Sequence, residues 1–468
     1  MSYTIERKVR SRYSTSRQIQ QNTKTEKRLQ SQNKGYRGLH LKDVVEIVQR
    51  DLKELKGSVE EQQAHKDLLE QAGLGNPVAQ EKVKAMIKRI ITERRISVID
   101  GLPDDKLSVS DAVFALTCGA GWIEDLYKAK DVEEVQVNGT KIYVMRDGIA
   151  TKINREFESI DQVIQLQQRL ALYGKADISE LKPVCSTYMW NKSRLTMSQP
   201  PYSAFPAIAV RNFILKDPTL ESLMEYGTLD KKMATFLRLL VKYHASIMVA
   251  GSTKTGKTTT LFALAREIPI EERLLTLETE FEVWLNERLP GRNVVPFQAV
   301  PEIGITMEEG FKPLLRFSPD RIIIGEMRGS EAAQAVQACL RGHDSLTSVH
   351  SKYRDMIIYD VMDMIKQDGR THDDHMLRQR IARAFNIVVF QNLVKVNKYK
   401  ARRVMTEITE LQVDPITGNI SVVPIVIWNK ATNKWEFTGN KLSHGLREHM
   451  ELYMIGDAHR EFEELGVW

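Results

Sequence analysis

At 468 residues the chain is longer than one hydrophobic core usually serves, so two or three domains are expected. Its hydrophobic fraction of 42% with 27% charged residues is that of a folded soluble protein, and no apolar run is long enough to cross a bilayer. A net charge of +6 is too small to argue for nucleic-acid binding if spread evenly, and three distant cysteines (Cys118, Cys185, Cys339) exclude a Cys-x-x-Cys pair or zinc cluster and read as reduced, buried thiols.

The charge is not spread evenly. Residues 1–37 carry ten basic side chains against Glu6 and Glu26 and almost no apolar ones, so they cannot offset their ordering entropy and are expected to form a disordered basic arm. Such an arm is either a solvated tail or a means of attraction to anionic lipid or nucleic acid. No apolar stretch follows the polar first residues, so a secretory leader is not expected and a cytoplasmic location is.

Residues 38–130 form a helical N-terminal region. Apolar residues recur every three or four positions in Val44, Val45, Ile47, Val48, Leu52 and Leu55, and again in Val83, Met86, Ile87, Ile90 and Ile91. Asn76-Pro77 and Gly101-Leu102-Pro103 interrupt it, and Ser108 to Asp111 offers N-caps for a following helix. A small α/β domain follows over 131–216. There Val135, Val137, Ile142, Val144 and Ile149 alternate, with Asn138-Gly139 and Asp147-Gly148 as turn signals. Residues 217–230 read as a linker.

Over 231–468 helical patterns alternate with short apolar runs: Ile247–Ala250, Leu274–Leu277, Val294–Phe297, Arg321–Ile324, Leu346–Val349 and Ile387–Phe390. Strands buried on both faces and separated by helices imply a parallel sheet covered on either side. The stretch from Arg402 to Trp428 reads as antiparallel strands around a turn at 414–419.

The strand at Ile247–Ala250 leads into Gly251-Ser252-Thr253-Lys254-Thr255-Gly256-Lys257-Thr258, and helical spacing resumes from Thr259. This strand, loop and helix order is the context a phosphate-binding loop requires. Consecutive N–H groups in such a loop point at phosphates, and the positive end of the following helix adds to the attraction. Lys257 would reach the β- and γ-phosphates of ATP and Thr258 would ligate Mg²⁺, with Gly251 through Thr259 lining the nucleotide. The plain alternative is a glycine-rich turn with a surface lysine.

A carboxylate at the end of a neighbouring buried strand is the next requirement, and Arg321 to Glu326 supplies one in Glu326. Its role would be to polarise the attacking water, directly or through the metal. The strand ending in Glu278 offers a second carboxylate, with Glu280 and Glu282 close behind; at least one should face the metal, and Glu280 reads as a solvated loop charge.

These residues resemble the secretion ATPases of the type II, type IV and pilus-assembly superfamily, in particular its CpaF-like branch. The most specific part runs from Arg316-Phe317-Ser318-Pro319-Asp320 through Arg341-Gly342-His343-Asp344-Ser345-Leu346-Thr347-Ser348-Val349-His350. The resemblance implies a RecA-like P-loop NTPase domain preceded by a small α/β domain. It also implies catalytic roles for Glu326 in the Walker B segment, Glu278 in an acidic box and His350 in a histidine box. Arg194 and Arg211 match the segments whose arginines approach the nucleotide from the N-terminal domain, and Thr258 with Glu326 would hold the metal. A homohexamer working on an inner-membrane platform protein from the cytoplasmic face is implied as well. Two departures stand out: Lys254 where the family has glycine, and Thr279 where it has aspartate. A RecA-like nucleic-acid motor gripping its substrate with the basic arm is the alternative, and a nucleotide-gated scaffold with little turnover is a third reading.

Overall fold

The computed structural model describes residues 38–54, 57–100, 102, 107–212, 218–282, 284–397 and 400–468. The expected basic arm, Leu55, Phe213 and the first residue of the expected linker, Asp217, lie outside the described residues.

The N-terminal region is helical, with α1 (Leu41–Lys53), α2 (Val59–Gly73), α3 (Pro77–Glu93), α4 (Val109–Thr117) and the short α5 (Glu124–Lys128). Each start has a local cause. Ser58 and Glu61 close a reciprocal capping box on α2, Asn76 accepts from the Val78 and Ala79 N–H groups with Pro77 in the first turn of α3, and Ser108 caps α4. The stripe Val44, Ile47, Val48, Leu52 of α1 and Val83, Ile87 of α3 is buried, as a three-four spacing demands. Of the cysteines only Cys185 is buried; Cys118 and Cys339 are partly exposed, and all three are free thiols.

A six-stranded sheet follows, in the order β3-β2-β1-β6-β5-β4. Its strands are β1 (Glu134–Asn138), β2 (Lys141–Arg146), β3 (Ile149–Glu156), β4 (Val184–Tyr188), β5 (Arg194–Ser198) and β6 (Ala207–Arg211), with α6 (Ile160–Tyr173) between β3 and β4. Asp147 and Gly148 both have positive φ, 48° and 74°, as the tight β2–β3 hairpin turn requires.

The chain forms two compact units. The first holds the described residues up to Ala129, Val135–Tyr143 and Lys152–Arg211; the second holds Lys130–Glu134, Val144–Thr151 and the described residues of Asn212–Trp468.

The second unit is built on a nine-stranded sheet, β15-β14-β13-β12-β7-β11-β10-β8-β9. Its parallel part comprises β7 (Ile247–Ala250), β8 (Leu274–Glu278), β9 (Val294–Gln298), β10 (Arg321–Met327), β11 (Ser345–Val349) and β12 (Ile387–Asn397). The antiparallel flank comprises β13 (Lys400–Val413), β14 (Ile420–Asn429) and β15 (Lys434–Phe437). Helices α7 (Leu220–Glu225), α8 (Lys231–Lys242), α9 (Lys257–Arg266), α10 (Leu285–Arg288), α11 (Met307–Leu314), α12 (Glu331–Cys339), α13 (Ile357–Lys366), α14 (Asp374–Ala384), α15 (His444–Glu451) and α16 (Arg460–Glu464) complete the unit.

Successive residues of the central strands feed opposite cores. Ile247 and Val249 join Phe236, Leu240 and Leu264 on one side, while Met248 and Ala250 join Phe311, Val336 and Ile381 on the other. This two-sided burial is why those strands read as unbroken apolar runs. Within the expected linker, Thr219 caps α7, which buries Leu220 and Leu223 in the first of these cores.

Candidate active site

The loop 251–258 leaves the end of β7 and opens α9, so β7 and its neighbours fix its position from below. Gly251 N–H donates to the Val349 carbonyl at 3.3 Å. A Cβ on Gly251 would lie 2.2 Å from the Gln391 carbonyl oxygen, so only glycine allows the loop this close to β12. Gly256 has φ 95°, and a Cβ there would meet Arg403 Cδ at 3.0 Å and Gln391 Nε2 at 3.1 Å.

Inside the loop the Ser252 carbonyl accepts from the Thr255 hydroxyl at 2.9 Å and from Lys257 Nζ at 3.0 Å. Lys257 is buried although charged. Thr253 is exposed, and Thr259 lies half-buried in the first turn of α9. The Thr258 hydroxyl donates to Glu282 Oε2 at 3.1 Å. Glu282 is itself placed by its backbone N–H, which donates to Glu278 Oε2 at 2.8 Å. Glu278, at the end of β8, is 2% exposed and lies against Gly325, where a Cβ would come within 2.9 Å of its Cγ. The glycine preceding Glu326 thereby makes room for the neighbouring carboxylate.

The two oxygens of Glu326 differ: Oε2 accepts a hydrogen bond, whereas Oε1 is buried without one among the described residues and meets His350 only as a charge contact. His350 Nε2 lies 2.8 Å from Oε1, and Arg328 Nη2 donates to Oε2 at 2.6 Å. The same His350 nitrogen is 3.4 Å from Lys257 Nζ, and since an ammonium only donates, that hydrogen bond requires Nε2 to be the unprotonated, accepting nitrogen. The bond to Glu326 raises the Arg328 guanidinium above its ordinary range against the opposing effect of burial, and the charges of Glu282 and Glu280 add to the rise. Glu280 is half-buried and takes part in this field, more than the solvated role expected for it.

The structure thus brings Lys257, Thr258, Glu278, Glu326 and His350 together at one end of the sheet. Arg194 and Arg211 stand opposite one another on the antiparallel pair β5–β6 within the first unit. His343 bonds the Pro319 carbonyl at 3.2 Å and serves the turn. Sequence reasoning did not single out Arg328, Gln391 or Arg403. Arg328 had one signal, its place two residues beyond Glu326 and just past the end of β10; Gln391 and Arg403 had none, because their partners are far away in sequence.

Lys254 is the loop's one left-handed non-glycine residue, with φ 65°. Glycine would adopt that backbone freely. Its ammonium turns toward segments of the same unit outside the loop, 3.8 Å from Glu134 Oε2 and 3.5 Å from Met145 Sδ. The donor set around Thr258, a hydroxyl beside the Glu282 carboxylate, consists of the oxygen ligands that a hard divalent cation takes. Among the described residues no group of three or more His, Cys, Asp or Glu could hold a metal ion by itself.

Residues 133–434, more than half of the chain, match the family described as "Type II/IV secretion system protein". The chain is 32% identical to an uncharacterized protein of Methanocaldococcus jannaschii, over 50% of this chain and 83% of that one. It is 27% identical to the type IV secretion system protein VirB11 of Brucella suis, over 49% of this chain and 72% of the relative. In two further uncharacterized proteins of M. jannaschii the match spans 31% and 59% of the relative's length. Among solved structures, the Legionella pneumophila ATPase DotB aligns with a TM-score of 0.47 and 18% identity, over 60% of this chain and 77% of that one. With a family match that runs from before β1 through β14 and takes in the phosphate loop and both acidic strand ends, the chain belongs to the type II/IV secretion system protein family and is a P-loop ATPase of that superfamily.

Proposed function

We propose that this ATPase is a Mg²⁺-dependent motor of the CpaF-like kind. It would act as a homohexamer at the cytoplasmic face of a membrane and power protein secretion, pilus assembly or conjugative transfer through an inner-membrane platform protein. The observation that carries the catalytic part is the convergence of Lys257, Thr258, Glu282, Glu326 and His350 on the phosphate loop.

Each residue has a task set by its position. Lys257, buried at the start of α9, neutralises the outer phosphates of ATP while the loop N–H groups and the helix end bind their oxygens. Mg²⁺, held by Thr258 with Glu326 nearby, would supply charge neutralisation on the transferring phosphoryl group. Glu326 aligns and polarises the attacking water through Oε1, the oxygen that Arg328 does not hold. His350, between Lys257 and Glu326, is placed to register loss of the γ-phosphate as a change in its hydrogen bonding. Arg194 and Arg211 are the candidates for cations that stabilise transition-state charge.

Among the described residues no helix is long and apolar enough to cross a membrane. Hydrolysis measured across a Mg²⁺ titration tests the site: Thr258→Ala should need roughly tenfold more Mg²⁺ for half-maximal rate. An unchanged Mg²⁺ requirement would remove Thr258 from the metal's coordination. Sedimentation with ATP bound should show a six-subunit ring, and a monomer that hydrolyses ATP at full rate would contradict the hexameric motor.

A further inference from the structure

Arg403, on β13, reaches under the phosphate loop and makes bonds in two directions. Its Nε donates to the Lys254 carbonyl at 3.1 Å, while Nη1 and Nη2 donate to the two oxygens of Glu133 at 3.0 and 2.6 Å. Glu133 is buried and also accepts from the Gly148 N–H at 3.1 Å, and Ala401 N–H donates to the Asp147 carbonyl at 3.3 Å. The hairpin segments 130–134 and 144–151 of the second unit therefore form a fixed anchor for the guanidinium. Lys254 adds a weaker tie through its ammonium to Glu134.

We propose that Arg403 is a positioning residue for the phosphate loop, with Glu133 as its anchor. The reason lies in the peptide plane. The carbonyl of one residue and the N–H of the next point to opposite sides of a trans peptide. Holding the Lys254 carbonyl against Arg403 therefore turns the Thr255 N–H away from β13, into the cradle that takes the phosphates. A guanidinium fork suits this task because two donors engage Glu133 while a third stays free for the carbonyl. Gly256 permits the approach, since a Cβ there would fall 3.0 Å from Arg403 Cδ. Lysine would keep the charge opposite Glu133 but could not serve three acceptors in this geometry.

This inference rests on the loop being the ATP site, and the test keeps the two apart. In steady-state ATP hydrolysis by the full chain, Arg403→Lys should raise KM for ATP about tenfold, the effect of one misoriented phosphate donor. Glu133→Gln, which keeps an acceptor for the fork, should raise it about threefold. A purely structural role would instead reduce the active fraction, lowering apparent kcat and leaving KM alone. A KM within twofold of the unsubstituted value in Glu133→Gln, and in Arg403→Lys where that variant folds, overturns the inference while leaving the ATP site intact. Failure of the unsubstituted chain to bind or hydrolyse ATP would overturn the site itself, and this inference with it.

Discussion

At the scale of single residues, the site separates side chains that touch the reaction from those that hold others in place. Glu326 takes a hydrogen bond from Arg328 and lies beside the His350 ring. Glu326→Gln preserves its shape and removes its charge, and should lower kcat by about 10²–10⁴ with nucleotide binding retained; a kcat within threefold would assign the water-directing role elsewhere. Lys254 poses a backbone question. At φ 65° any side chain carries a left-handed cost of about 1–2 kcal/mol that glycine escapes, and the long 3.8 Å pair between half-exposed Lys254 and buried Glu134 returns at most ~1 kcal/mol. Lys254→Gly should therefore be more stable to urea than Lys254→Ala by about 1 kcal/mol, because alanine keeps the strain and loses the tie. Equal midpoints would mean that the loop relaxes out of the left-handed region. The sequence displayed Lys257, Thr258 and Glu326 because each sits in a local strand-loop-helix or strand-end context. It hid Arg403, whose bonds to Lys254 and Glu133 join residues 149 and 270 positions apart.

At the scale of elements, the nine-stranded sheet has an occupied pole at each end. Opposite the loop, where the parallel strands begin, Arg321 is buried with its Nε on Glu272 at 2.6 Å. His244 bridges Glu272 at 3.4 Å and Asp344 at 3.0 Å, and stacks on Tyr453 with ring centroids 3.5 Å apart. His449 of α15 joins the network at 3.3 Å from Asp344, whose other neighbour is the Ser246 hydroxyl. Burial alone would raise Asp344, but hydrogen bonds from His244 and His449 outweigh it and hold the carboxyl at about 2. His449 in turn is raised by its bond to Asp344 against the effect of burial. The depressed acid contributes stability above its unfolded value near 4, lost as pH falls toward 2; the raised histidine contributes stability below its unfolded value near 6.5, lost as pH rises through its folded one. Thermal melting of the parent chain should therefore exceed that of His449→Gln by most between about pH 4 and 6.5, with the gap closing toward pH 9. A gap independent of pH would show that His449 packs without its charge. Strands β7, β8, β10, β11 and the first half of β12 were legible as elements because both faces are buried, whereas the half-buried β9 was legible only as a short apolar run. The short strands β4 to β6 and β15 were not, since alternating or exposed residues resemble loop sequence, and α7 was taken for linker because six residues carry too little periodicity.

At the scale of the whole molecule, the described residues form two compact units, and the family match begins at residue 133, inside the anchor that grips Arg403. The architecture of the second unit followed from residue patterning, a parallel sheet with helices on both faces, because a phosphate loop needs that setting to aim its amides. Quaternary arrangement and the path from hydrolysis to movement have no such local signature, since they depend on surfaces whose partners lie in other chains. The central claim, that the loop at 251–258 binds and hydrolyses ATP, is tested most directly by phosphate release from purified full-length chain with ATP, with and without Mg²⁺, beside Lys257→Ala. Mg²⁺-dependent release that falls by at least about 10²-fold in Lys257→Ala is the predicted result. Release that is absent under every assembling condition, or that persists undiminished in Lys257→Ala, would contradict it.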